Sequence, residues 1–338
     1  MPRRLAPVLT LAFLSPFTAE FLLGDQFLFD RRPSFQQLGM FLLFVPLYGG
    51  AALLIREFAR RSGRGWPTMI LSALAFGVFE EGLLTQSLVN PNYAGFRLLD
   101  YGHVPGLGIG VPWTVFVLTL HVVWSIATPI AVAEALFSRR LDKRFGRQFG
   151  RQFGRQFGRR FGKEPWLGKG WRVGWIGLFV VGSAGTFAFT IGNGDHFLAP
   201  YAALASAAVV VVALLVWAYR GFGAPAERTT TGNPWLGFLL GLVATTVVQI
   251  LRFVGHDPIP AWVTVVMLLA LEVAAVALIH RVRPPVFALA AGAMTTYCWV
   301  GLKTALDAGL PATVEQIVLV ACAAALLVYA STRRVSCL

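Results

Sequence analysis

The chain is poor in charge, in cysteine and in acid. Only 13% of its 338 residues are charged, against about 25% in a soluble globular domain, which argues against a water-soluble fold. Three cysteines, Cys298, Cys322 and Cys337, exclude a disulfide framework and offer no metal-ligand pair at short spacing. Cys337 is one residue from the end and makes no prenylation box. Alternating ten-residue segments of the barrel type do not recur. No HExxH spacing is present.

What fills the chain instead is apolar: 56% of residues are hydrophobic. About ten windows are long enough to cross roughly 30 Å of hydrocarbon. They lie near 5 to 23, 37 to 55, 67 to 88, 112 to 137, 173 to 192, 197 to 219, 235 to 253, 261 to 280, 285 to 303 and 312 to 331. The expected fold class is therefore all-α, a polytopic helical membrane protein with about ten transmembrane helices. "MPRR" followed by "LAPVLTLAFL" has the outline of a secretory signal, but Pro16 and Glu20 interrupt it and no small-x-small site follows, so the first window reads as a retained span.

The basic residues set the orientation. With the amino terminus inside, 24 of the 29 Lys and Arg residues fall on the cytoplasmic side, and only Arg31, Arg32, Arg97, Arg252 and Lys303 fall outside. Positive-inside retention then places both termini in the cytoplasm of a bacterial inner membrane. The net charge of +13 sits on one membrane face, which favours anionic lipid over nucleic acid as a partner.

Three regions follow: a four-helix half at 1 to 137 bearing the polar residues, a basic cytoplasmic loop at 138 to 172, and a six-helix half at 173 to 338 read as scaffold. The loop holds a tandem repeat of period four, "RFGRQFGRQFGRQFGRRFG", from Arg144 to Gly162. On a helix its phenylalanines would form a stripe beside arginines, a lipid-surface pattern for 139 to 172. Its glycines oppose a helix in water, so a disordered tether is the other reading. Oligomeric state is left open.

Five acids lie within the windows: Glu20, Glu80, Glu81, Glu134 and Glu272. An ionised carboxylate at a helix centre costs about 2.5 to 3.5 kcal/mol on insertion scales, so such residues face the bundle interior or water and have partners. Glu81 is about 10 Å in from the outer end of span three and His121 about 13 Å in on span four, so the two can meet. Ala73, Gly77, Glu81 and Thr85 form one small or polar stripe, and Thr114, His121, Ser125 and Thr128 form another. A Glu80, Glu81 and His121 seam is expected, supported by Glu20, Thr85, Gln86 and Ser125. Glu134 and Glu272 are placed outside it.

Two carboxylates and an imidazole suffice for acid–base work, with one proton shared between the acids. Glu81 is the better proton carrier on the stripe argument. The same trio can bind a divalent metal, though a zinc site calls for another His; no cofactor is read from the sequence. His103, His196, His256 and His280 read as interfacial.

A glutamate pair late in a span, followed by a helix bearing His, resembles the glutamate-dependent intramembrane proteases of the CAAX-protease and bacteriocin-processing type. In that family's EExxxR motif, Thr85 of "EEGLLT" stands where the arginine belongs. Phe116 precedes His121 by five residues rather than the four of FxxxH, and no third motif is found. "REFARRSGRGWPT", "FEEGLLTQSLVNPNY" and "HVVWSIATPIAVAEAL" resemble a group of bacterial multi-pass membrane proteins without an assigned activity, over roughly the first 140 residues. Three readings stay open: a structural or otherwise non-enzymatic seam, a proton- or ion-coupled transporter, and a glutamate-dependent intramembrane hydrolase. The transporter reading also draws on Pro16, Pro46 and Pro129, and on "YGG" at Tyr48 to Gly50 as an unwound segment.

Overall fold

The structure is a computed structural model, and it describes residues 2–28, 35–137, 164–193, 196–221, 232–253 and 259–335. The tandem repeat, the loop before Glu164, Arg31, Arg32, Arg228, His256 and Cys337 lie outside the described residues. Helix α1 (Pro2–Pro16) runs into a π-helical turn, π1 (Phe17–Phe21). Helix α2 (Phe35–Phe44), π2 (Val45–Gly49) and α3 (Gly50–Arg61) make one rod. Helix α4 (Trp66–Phe79) continues into π3 (Glu80–Leu84), and α5 (Val111–Leu120), π4 (His121–Ala127) and α6 (Thr128–Phe137) make another rod. The remaining helices are α7 (Lys169–Asn193), α8 (Tyr201–Arg220), α9 (Pro234–Phe253), α10 (Ala261–Val282), α11 (Val286–Ala308) and α12 (Leu310–Val335). Among the described residues nine helices are long and apolar enough to cross a membrane, and Leu5–Phe21 is a shorter tenth. The helical membrane architecture read from composition is the observed one.

The π turns have local causes. Pro16 precedes π1 and Pro46 lies within π2; a ring without an N–H breaks the regular ladder and leaves a carbonyl free. Pro129 follows π4, and the carbonyl four residues back, Ser125 O, accepts the Ser15 hydroxyl at 2.6 Å instead. Beside it, Trp124 O accepts Thr18 Oγ1 at 2.9 Å. The segment at Tyr48 is thus a widened helical turn, not the unwound stretch expected from "YGG". It packs so closely on α1 that a Cβ at Gly49 would collide with the Ala12 carbonyl.

Close backbone approach also joins the later helices. Gly237 and Gly241 on α9 face α11, where a Cβ at Gly292 would strike the backbone of Phe238 and Leu242. This four-residue glycine spacing lets the two helices pack at short range. Helices α8 and α10 are largely exposed: only 6% and 11% of their apolar windows are buried, so their Val and Leu side chains face lipid or another chain.

At one end of the bundle charges are paired, with Arg56, Glu57 and Arg60 buried. Glu134 on α6 lies 2.9 Å from Arg56 Nε and 2.7 Å from Arg60 Nη2 on α3. Glu57 holds Arg61 at 2.6 Å and accepts the backbone N–H groups of Trp166 and Leu167 at 2.7 and 3.2 Å. Arg56 stacks on the Trp166 ring, 3.3 Å from its centroid. The α3 helix therefore continues six residues past the apolar window that predicted its end at 55, because its cations meet acids within the fold.

At the other end, the chain between π3 and α5 is folded rather than extended. Strands β1 (His103–Val104) and β2 (Ile109–Gly110) pair antiparallel. The Tyr101 hydroxyl donates to Ile259 O at 2.7 Å and lies 2.7 Å from Thr264 Oγ1 on α10.

Candidate functional site

Each π turn carries one part of a single polar cluster: Glu20 on π1, Tyr48 on π2, Glu80 and Glu81 on π3, His121 on π4. A π turn inserts one extra residue and turns side chains that regular helix geometry would aim elsewhere. That is how both adjacent glutamates, about 100° apart on an α-helix, come to serve one imidazole. His121 Nε2 is 2.7 Å from Glu81 Oε1, and Nδ1 is 3.4 Å from Glu80 Oε2. All three residues are buried.

The packing fixes the ring. Tyr48 stacks on His121 with centroids 6.1 Å apart and planes 10° apart, and Phe76 meets it edge-on at 5.9 Å. Gly77 makes room, since a Cβ there would stand 3.1 Å from His121 Cβ. The stripe of small residues read from the sequence is thus the bed of the histidine.

The two glutamates are partnered unequally. Glu81 Oε1 meets His121, while Oε2 accepts Thr85 Oγ1 at 2.9 Å and the Ser87 hydroxyl. Glu80 Oε1 accepts the Tyr48 hydroxyl at 2.5 Å. Glu80 Oε2 is buried and makes no hydrogen bond, its nearest polar neighbour being the imidazole at 3.4 Å.

The supporting residues divide. Thr85 bonds Glu81, Ser125 Oγ lies 3.4 Å from His121 Nδ1, and Glu20 reaches the cluster through Tyr48. Gln86 does not join. It has φ +58°, the chain turns away there, and Gln86 Oε1 accepts the Ala199 N–H at 2.6 Å, tying π3 to the start of α8. Glu134 and Glu272 stand apart as expected, Glu272 accepting Thr119 Oγ1 at 2.5 Å. Sequence reasoning missed Tyr48 as a donor and Ser87 as a ligand of Glu81. A lone phenol in an apolar span beside Pro46 was the available signal for the first.

A cavity of about 1070 Å³ opens beside the cluster and is lined by Glu20, Asp25, Tyr48, Glu80, Glu81 and His121 among others. Its walls also come from the second half: Thr186 and Thr190 on α7, Val248 and Arg252 on α9, Thr264 on α10 and Thr304 on α11. The site is therefore not confined to residues 1 to 137. At the rim Arg97 Nε and Asp100 Oδ2 pair at 2.6 Å, each exposed. That pairing raises the Arg97 guanidinium and lowers the Asp100 carboxyl from their usual ranges. The Tyr93 hydroxyl is pushed up, first by burial and then by the carboxylates of Glu81, Glu20 and Glu80.

Chemically the trio can relay a proton, hold a water against a carboxylate, or gather a cation. One ligand atom from each of Glu80, Glu81 and His121 lies within 4.8 Å of the others, so these three could hold a metal.

A family model described as an uncharacterized membrane protein family matches residues 9–336. No curated protein and no solved structure matches the chain.

Proposed function

The chain belongs to that family of membrane proteins, and with the membrane as its setting we propose that it is a proton-coupled transporter in which Glu80, His121 and Glu81 form the proton relay. One observation carries this reading: Glu80, a residue of the cavity wall, keeps a buried carboxylate oxygen, Oε2, without a hydrogen bond. An orphaned buried acceptor costs about 1 to 3 kcal/mol, a cost that a purely structural seam has no reason to keep. Glu81, with both oxygens taken, orients His121; Glu80 keeps an open position and is the group that loads and releases the proton. His121 stands between them with one nitrogen toward each.

The proposal includes the orientation. Both termini lie in the cytoplasm of a bacterial inner membrane, supported by 24 of 29 basic residues on one side. Two halves joined by the basic segment belong to the same proposal, with anionic lipid as the partner of its cations; the second half starts at Lys169 rather than 173, because α7 begins there, and Trp166 and Leu167 are packed on α3. Cysteine-accessibility labelling checks this: a site near Arg61 is expected to be protected from outside reagents and one near Asn92 reactive, and the reverse pattern rejects the orientation.

The relay is tested by infrared difference spectroscopy of the carboxyl stretch between acidic and alkaline buffer. A titrating band that disappears in Glu80→Gln and persists in Glu272→Gln is expected. A Glu80→Gln spectrum identical to wild type overturns the proton-carrying role. The intramembrane hydrolase reading uses the same open oxygen to hold an attacking water; it requires turnover of an added peptide or ester that stops in Glu80→Gln.

A further inference from the structure

The charges around the cavity do not balance. Among the described lining residues the carboxylates are Glu20, Asp25, Glu80, Glu81 and Asp100, and the cations are Arg97, Arg252 and His121 when protonated. Arg97 and Asp100 neutralise each other at the rim. Four carboxylates then face Arg252 and an imidazole, an excess of two negative charges when all four are ionised, with Glu80 and Glu81 buried and Asp25 exposed. Low-polarity surroundings make uncompensated charge costly, so the excess must be met by protons or by a bound cation.

Three features describe that cation. Glu80, on the cavity wall, has a buried oxygen without a hydrogen bond, Oε2. Part of the cavity wall is aromatic, with Phe44, Tyr48, Trp113 and Phe116 among the lining side chains, and ring faces attract cations, most strongly when water is excluded. One such face already serves a cation, since the Arg252 guanidinium sits 5.3 Å from the Phe116 centroid. The volume of about 1070 Å³ is that of a small-molecule pocket, far more than a bare ion fills. A metal ion held by Glu80, Glu81 and His121 would fill only a small part of this volume and would leave the aromatic wall without a role.

We propose that the cavity binds a monovalent organic cation, an aromatic or alkyl ammonium, with its charge toward the Glu80 carboxylate and its apolar body against the aromatic part of the wall. The inference rests on the proton-coupled reading for one step alone: an arriving cation displaces a proton from the Glu80 carboxyl to the cavity water. The groups that face Glu80 and set this exchange are Glu20 from π1, Tyr48 from π2, Glu81 beside it on π3, His121 from π4 and Tyr93 from the outer loop.

The experiment is calorimetric titration of the full-length protein in detergent with benzyltrimethylammonium, with its neutral tert-butyl isostere, and with zinc ion, in two buffers of different ionisation enthalpy. The ammonium is expected to bind, the isostere to bind on the order of tenfold or more weakly, and Glu80→Gln and Asp25→Asn each to weaken the ammonium alone. Asp25 lies outside the packed seam and is exposed, so its variant reads the site even where Glu80→Gln folds poorly. Equal binding of ammonium and isostere overturns the inference, as does binding of zinc with no binding of ammonium. Ammonium binding without proton release supports the cation site and overturns the coupled exchange. A titrating Glu80 band without ammonium binding overturns the cation site and leaves the relay standing.

Discussion

At the Arg56 end of the bundle, Glu134 lies between two guanidinium groups while Glu57 holds Arg61 and two backbone N–H groups of the segment at Trp166; about 20 Å away along α6 and π4, Glu80 keeps a buried oxygen with no donor. Both regions bury carboxylates within helices, and both use residues distant in sequence to do it. The first gives each acid a cation of opposite sign, so its pairs hold α3, α6 and the 164–167 segment in one arrangement. The second has more acid than base and rings widened π turns around it. Balanced burial locks helices together. Unbalanced burial leaves a position that a proton or ligand completes, and the same residue type serves either purpose according to how many donors reach it.

The comparison breaks most visibly if Glu134 proves dispensable. Glu134→Ala leaves Arg56 and Arg60 buried beside each other without an anion, a loss of about 3 to 5 kcal/mol for a broken buried pair. Thermal unfolding in detergent reads it as a large fall in Tm. A Tm near wild type would show that water reaches these arginines and that this end is no lock.

Next in size are Glu81→Leu and His121→Leu. The first strands His121 Nε2, Thr85 and Ser87, and the second sets Glu80 and Glu81 against each other without the imidazole. Each is expected to lose about 1 to 3 kcal/mol, the desolvation cost of orphaned buried groups. The double variant is expected to lose less than the sum, because the two share one interaction. Additive losses, or no loss in either, would mean that the residues are not a pair.

Glu80→Gln sharpens the contrast rather than the stability. It keeps the shape and an acceptor for Tyr48, so a change within about 1 kcal/mol is expected, while coupled proton movement into proteoliposomes is expected to stop. Glu134→Gln is the mirror case, expected to lower Tm while leaving the titrating carboxyl band of Glu80 in place. If the two variants behave alike, the distinction between lock and relay fails.

Much of this fold is legible in the amino-acid sequence. The helical windows match closely, as at 261 to 280 against Ala261–Val282, because apolar length is a local property. So is the meeting of Glu81 with His121, which needs only depth and helical spacing. Four things are not. The end of α3 was placed at 55 because Arg56 looks like a boundary until Glu134, 78 positions later, is known to face it. Tyr48 was read as part of a loosened backbone because a π turn leaves no mark in a hydropathy window. Gln86 was grouped with the seam because regular helix was carried one residue too far, past the point where φ turns positive. The excess of acid in the cavity was also hidden, since Asp25 and Arg252 belong to different halves and meet only across the folded chamber.

The smallest expected effect concerns the rim, where Arg97 and Asp100 form a third kind of pair, balanced like the lock but exposed to solvent. The arginine lowers the Asp100 carboxyl. A depressed carboxyl stabilises the fold above its unfolded value, and that contribution disappears as pH falls through the folded value. Water and salt screen an exposed pair, so Tm curves for wild type and Asp100→Asn are expected to run close together from neutral to mildly acid pH and to merge in strong acid. The small gap at neutral pH is expected to shrink further in high salt. A large gap that resists salt would mean that the pair is shielded from water in solution, and it would then count with the buried balanced pairs at the Arg56 end rather than as their exposed control.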